Sequence, residues 1–280
     1  MDDVFAVGRP EHGAPVSAPS TALWWRSLRF WMYRWRRTFR AGLAGNFVYP
    51  AVYLAAMGIG LGHLVNHHLA AHANAAIGGV SYLVFVAPGI LAGSMMQIGV
   101  QEATYPVLGA LRWDRAYLGQ LASPLAVGDI VRGHLSFIAV RAAIASTVFL
   151  ALAAAFGALR SPEALLAVPV SVLIALAFGA PIAAFSVTRD NDAAFTTIQR
   201  LGIVPLFLFS GSFFPIRLLP AGLRALALVT PLYHGVALVR SCTLGHLDVL
   251  ANLAHGLYLV ALAMIGVAVA GRTYERRLAP

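Results

Sequence analysis

The stretch Pro205–Arg240, PLFLFSGSFFPIRLLPAGLRALALVTPLYHGVALVR, decides how this chain is read. It starts as the end of an apolar span, breaks at Ser210-Gly211-Ser212 and again at Pro215, and resumes as two short amphipathic pieces separated by Pro220 and Pro231. That pattern is neither a complete spanning helix nor an ordinary polar loop. A helix that stops and restarts at membrane depth frees backbone N–H and C=O groups, which need partners from neighbouring protein or a water-filled cavity.

Composition supplies the membrane. The 280 residues are 59% hydrophobic and 11% charged, with a mean hydropathy of +0.76, too little polar surface to coat a soluble globule. The net charge of +9 is spread over short segments between apolar runs, a signal of membrane topology and not of a nucleic-acid surface. All twenty basic residues are Arg. A Walker A phosphate loop and a Schiff-base cofactor site both need Lys, so neither is expected here. The chain therefore reads as a non-enzyme, and any ATP that drives it binds a different polypeptide. The single cysteine, Cys242, excludes an intrachain disulfide and a Cys-based metal cluster.

Residues 1–22 are Pro, Gly and Ala rich, with Asp2 and Asp3 where a signal peptide carries positive charge, and read as a disordered cytoplasmic leader. Residues 23–41 follow as an amphipathic helix. Trp24, Leu28, Trp31, Trp35 and Phe39 recur at helical steps, with Arg26, Arg29, Arg34, Arg36, Arg37 and Arg40 between them. Such a helix lies in the membrane interface, rings at headgroup level and guanidiniums toward lipid phosphates, or packs on a partner.

Residues 42–280 read as an all-α transmembrane domain of six spans. Their expected extents are about 46–64, 82–101, 135–156, 164–187, 195 into the opening stretch, and 250–270. With the N-terminus inside, the inner segments hold Arg9, Arg26, Arg29, Arg34, Arg36, Arg37, Arg40, Arg112, Arg115, Arg132, Arg189, Arg200, Arg272, Arg276 and Arg277. The outer ones hold Arg160, Arg217, Arg224 and Arg240, with Arg141 left inside span three. This bias places both termini in the cytoplasm. It also puts the broken stretch, residues 210–232, on the outer side. No internal repeat is evident, which argues against inverted-repeat secondary transporters.

Four groups of residues invite chemistry. His63, His67, His68 and His72 have helical spacing suited to a metal, but no carboxylate or Cys accompanies them, and no metal is assigned. Ser210 and Ser212 with His234 and Asp248 suggest a hydrolase, yet the nucleophile elbow is absent and Ser with Gly is what a helix break needs anyway. Glu102 and Arg141 are the ionisable residues nearest the apolar core, in the inner half of adjacent spans and within pairing reach. The loop 104–133 carries a helix-like run from Leu108 to Leu121, a break at Ser123-Pro124, and then Asp129. An inner loop with a short amphipathic helix is a natural handle for a motor subunit, with Arg112, Asp114, Arg115, Pro124 and Asp129 as its candidate contacts.

These residues carry a family resemblance. The run SGSFFPIRLLPAGLRALALVTPLYHGVALVR, with Gly211, Phe214-Pro215, Leu219-Pro220 and Pro231-Leu232, resembles the C-terminal signature of type-2 ABC exporter permeases. ASPLAVGDIVRGHL resembles their inner-loop signature. Within that family the likeness is to permeases of nodulation-factor, or lipo-oligosaccharide, exporters and to actinobacterial drug and lipid exporters, from about Leu28 to Arg277. The resemblance implies six helices per permease, an N-terminal connecting helix, a coupling helix between spans two and three, and re-entrant helices between spans five and six. It further implies two paired permeases, a homodimer or a pair with a similar permease, above two ABC ATPase subunits that hold ATP and Mg. The implied setting is the bacterial cytoplasmic membrane, with lipids around the chain and an amphipathic substrate moving outward: a lipid-linked saccharide, a glycolipid or a hydrophobic drug.

On that basis Met95, Met96, Phe207 and Phe209 are expected to line the cavity, and Gly211, Phe214, Pro215, Pro220 and Pro231 to form a re-entrant gate. The competing reading, an ion-coupled secondary multidrug transporter, needs a carboxylate inside the spans, and Glu102 is its one weak candidate.

Overall fold

The computed structural model describes residues 23–43, 49–61 and 79–279. The leader 1–22 and the histidines of 63–72 lie outside the described residues. The described chain is helical, and four of its helices are long and apolar enough to cross a membrane. They are α3 (Tyr82–Trp113), α5 (Val127–Ala155), α6 (Pro162–Ser186) and α10 (Val249–Leu278). Two short helices, α8 (Ala221–Val229) and α9 (Pro231–Leu244), meet at a 78° bend. The remaining elements are α1 (Trp24–Leu43), α2 (Tyr49–Ala55, continued by a π-turn over Ala56–Leu61), α4 (Ala116–Leu121) and α7 (Ala193–Phe209).

Helix α6 is the hub, packing against α10, α3, α5 and α9. Helix α3 is also enclosed. Of its most apolar stretch 78% is buried inside the chain, against 22% for α10, which leaves Leu253, Leu257, Met264 and Ile265 facing outward. An apolar face without protein cover is what a helix bordering lipid presents.

Several expected boundaries move. Span two continues from residue 101 to Trp113, with a bend at Thr104 (φ −100°, ψ −95°). Span three begins at Val127 instead of 135, because Asp129 accepts from the Ala126 N–H and closes an earlier N-terminus. The fifth expected span is α7, shorter than the about 20 residues that cross a bilayer. Only residues 49–61 of the first expected span are described, and they are helical.

The run from Leu108 to Leu121 is not one helix. Arg115 adopts φ 49°, the left-handed region, which ends α3 and starts α4 in a new direction. Helix α1 packs one face on the chain: Ser27 and Trp31 are buried against α5, while Trp25 and Tyr33 are exposed. Arg26, Arg29, Arg36 and Arg37 remain on the exposed side.

Candidate functional site

The break after α7 is built on α3. Gly89 and Gly93, one helical turn apart, leave a groove on α3 that the break fills. A Cβ at Gly89 would lie 2.5 Å from Ser212 Cα, and one at Gly93 would lie 2.0 Å from the Phe207 ring. Small residues at this spacing let helices approach closely without a hydrophobic driving force. The Ser210 and Ser212 hydroxyls are 2.7 Å apart, and Ser212 donates to the Gly89 carbonyl at 3.4 Å. Tyr82 on α3 donates to the Phe213 carbonyl at 3.2 Å. Gly211 has φ +81°, which explains why glycine stands there.

A second partner comes from α9. Arg240 donates to the Gly211 carbonyl at 2.9 Å and to the Phe85 carbonyl at 3.3 Å, with its guanidinium 4.3 Å from the Phe85 ring centroid. Sequence reading counted Arg240 among outer topology charges. Its guanidinium instead satisfies carbonyls that a broken helix leaves open.

The other expected gate residues take conventional places. Phe214 and Pro215 are half-buried in the turn that leads into the 3₁₀ segment Ile216–Leu218. Pro220 precedes α8 and is exposed. Pro231 opens α9 behind Thr230, whose hydroxyl accepts from the Tyr233 N–H at 3.4 Å.

Of the four expected cavity residues, Met95 and Met96 are 1% and 0% exposed inside the enclosed helix α3, and neither lines open space within one chain. Phe207 stacks edge-on with Phe213 at 5.0 Å. Phe209 does face a cavity of about 220 Å³ between α7 and α8, together with Leu201, Pro205, Leu223 and Leu226.

At the opposite end of α3 lies the expected coupling loop. Arg112 pairs with Asp190, which also pairs with Arg277 on α10, and Asp114 pairs with Arg34 on α1. These charges hold the corner to its own chain. Asp129 is buried and occupied with capping, so it offers nothing to a partner. Arg115 and Pro124 are exposed. Beside them stand two side chains the sequence reading passed over, Trp113 at 64% exposure and Leu118 at 53%. An exposed Trp and Leu flanking an Arg make an anchor of the kind protein interfaces use.

Behind this corner is a buried polar node. His134 Nε2 lies 3.1 Å from the Glu102 carbonyl, which can only accept, so Nε2 carries the proton and Nδ1 is an acceptor. Tyr117 on α4 then donates to His134 Nδ1 at 3.2 Å, and Tyr274 on α10 donates to the Tyr117 hydroxyl oxygen at 3.3 Å. Trp31 of α1 stacks on the imidazole at 4.2 Å. Five elements thus meet at the base of α4.

Glu102 and Arg141 form the anticipated pair, at 14% and 16% side-chain exposure, and Arg141 also lies 5.7 Å from the Trp35 ring. The hydrolase arrangement does not assemble. Asp248 caps α10 by accepting from Leu250 and Ala251 N–H groups, and His234 Nδ1 sits 2.7 Å from His255 Nδ1. Among the described residues no three His, Cys, Asp or Glu side chains group around a metal position.

A family model described as ABC-2 type transporter matches residues 20–244, which include both the corner and the break. Nodulation protein J of Rhizobium leguminosarum bv. trifolii is 33% identical over 212 residues, 76% of this chain and 78% of the relative. Nodulation protein J of Rhizobium meliloti (strain 1021) is 30% identical over 250 residues, 88% and 90% of the two chains. The protein of that name from Bradyrhizobium diazoefficiens is 30% identical over 241 residues, 86% and 85%.

Proposed function

Since the chain belongs to the ABC-2 type transporter family, we propose that it is the permease subunit of an ATP-driven exporter for a lipo-oligosaccharide-type amphiphile. Two copies pair in the bacterial cytoplasmic membrane with both termini inside, and two separate ATPase subunits bearing ATP and Mg dock beneath them. The helices α2, α3, α5, α6, α7 and α10 supply six spans, and α8 with α9 forms the re-entrant element on the outer side.

One observation carries the mechanism. The single element α3 touches the broken stretch at Gly89 and, past the bend at Thr104, ends twenty-four residues later in the exposed Trp113 corner. An ATPase that grips Trp113, Arg115, Leu118 and Pro124 moves one end of this element. The buried node makes α4 move with α1, α5 and α10, and the bend at Thr104 lets the lower part of α3 tilt against the upper part. The Gly89–Ser212 contact at the far end then loosens or tightens the gate, with Phe207 and Phe209 beside the path.

Ion-coupled transport finds less support. Glu102, the carboxylate it requires, is engaged by Arg141. Copurification tests the proposal: an ATPase subunit should accompany the wild-type chain at one to one, and fall away from a Trp113→Ala/Leu118→Ala variant that still inserts in the membrane.

A further inference from the structure

Three helices converge on one pair of histidines. His234 lies in the first turn of α9 and His255 in the second turn of α10, and their Nδ1 atoms are 2.7 Å apart. Both side chains are only half-buried, so solvent reaches them. Tyr258 stacks on the His234 ring with centroids 4.1 Å apart, and Tyr233 stands edge-on to the two imidazoles at 5.5 and 5.7 Å. Helix α8 contributes its last carbonyls, which have no partner within their own helix. The Leu228 carbonyl takes a hydrogen bond from the His234 imidazole, and the Val229 carbonyl accepts from the Tyr258 hydroxyl at 2.7 Å.

Two neutral imidazoles that meet nitrogen to nitrogen share one proton, with one Nδ1 donating and the other accepting. Moving that proton to Nε2 of the same ring turns both Nδ1 lone pairs toward a single point. A tetrahedral zinc ion, bonded to imidazoles at about 2.0–2.1 Å, holds two ligand nitrogens about 3.3 Å apart, roughly 0.6 Å wider than this hydrogen bond. A small side-chain rotation supplies the difference. The tyrosines fix the ring planes, and Leu228 gives the His234 ring a backbone acceptor of the kind that orients metal-bound histidines. Imidazole suits zinc, copper and nickel, whereas magnesium and calcium take oxygen ligands. Among the described residues no Cys, Asp, Glu or further His side chain completes a group of three. Water therefore fills the rest of the coordination shell, and the ion stays exchangeable, unlike that of a four-ligand structural site.

We infer that His234 and His255 form a zinc site that clamps the α8–α9 bend to α10. The 78° bend falls at Thr230, between the residues of α8 and α9 that meet at the pair, so an ion held there fixes the bend against the last span. The site itself is independent of the exporter reading. Its consequence, inhibition of export by zinc on the outer face, rests on that reading.

Binding and inhibition are tested separately. The full chain, without a histidine tag, is dialysed in detergent against radioactive zinc. His234→Gln/His255→Gln should hold one zinc ion fewer per chain than wild type. His255→Cys in reducing buffer should hold as many as wild type, because a thiolate replaces the imidazole. Replacing His63, His67, His68 and His72 by Gln should leave the difference between pair and double variant intact. For inhibition, the chain and its ATPase are reconstituted in inside-out proteoliposomes with zinc sealed in the lumen, where it meets the outer face and not the ATP. ATP-driven uptake of a hexadecyl-tailed tetrasaccharide should fall about tenfold, within the 5–150-fold typical of coupled sites. Luminal magnesium should cause no such fall, and luminal zinc should cause none in the double variant. Equal zinc binding by wild type and double variant would overturn the site. Zinc bound at the pair with uptake unchanged would overturn the clamp. Failure of ATP-driven uptake in zinc-free vesicles would remove the exporter reading, while the dialysis result still decides the site.

Discussion

Arg240 on α9 donates a hydrogen bond to the carbonyl of Gly211, twenty-nine residues earlier, and the two close the break that follows α7. The same guanidinium reaches the Phe85 carbonyl on α3, so one side chain ties three segments together. Arg240→Leu leaves two carbonyls without their donor and should destabilise the chain by about 2–6 kcal/mol, at 1–3 kcal/mol for each unsatisfied group. Thermal unfolding in detergent reads this loss. Arg240→Lys should recover only part of it, because an ammonium lacks the planar fork that serves two acceptors.

Gly89 and Ser212 approach so closely that any side chain at 89 must push the break away from α3. Gly89→Ala should cost about 1–3 kcal/mol as overpacking. It should reduce export strongly while the ATPase still copurifies. Equal loss of both would show that the contact serves folding alone.

Tyr117→Phe removes one hydroxyl from the node and keeps the ring packed. His134 Nδ1 loses its donor and Tyr274 its acceptor, at a cost of about 1–2 kcal/mol. The ATPase should still bind, and the ratio of substrate moved to ATP hydrolysed should fall. An unchanged ratio would remove the node from the transmission path.

Cys242 is 5% exposed, so it is a poor reporter of sidedness despite lying near the end of α9. Val249, at 78% exposure at the start of α10, is a better position. In a Cys242→Ala background, Val249→Cys should react with an impermeant thiol reagent added from outside intact cells. Reaction from the cytoplasmic side alone would invert the topology.

Much of the architecture was legible because membrane spans are written in composition: apolar runs placed α3, α5, α6 and α10, and prolines marked the starts of the short helices α8 and α9. Boundaries were less legible, since moderately polar helix ends such as Gln101–Trp113 look like loop when hydropathy is the only guide. The loop 104–133 was singled out by its charges, yet Arg112 and Asp114 are spent on Asp190 and Arg34, partners 78 and 80 residues away that no local pattern announces. The exposed Trp113 was hidden among apolar neighbours. One signal was available and passed over: Gly89-Ile-Leu-Ala-Gly93 has the small-residue spacing of a close helix contact. Arg240 was misread because a topology count treats every Arg as a solvated charge, while its guanidinium works as a buried donor.

The central claim is that this chain conducts an amphiphile outward only when a separate ATPase drives it. Inside-out proteoliposomes containing the chain and its copurified ATPase should accumulate a hexadecyl-tailed tetrasaccharide in their lumen on addition of ATP and Mg. They should fail to do so when the ATPase is omitted, whatever proton gradient is imposed. Full accumulation by the chain alone under a proton gradient would contradict the account.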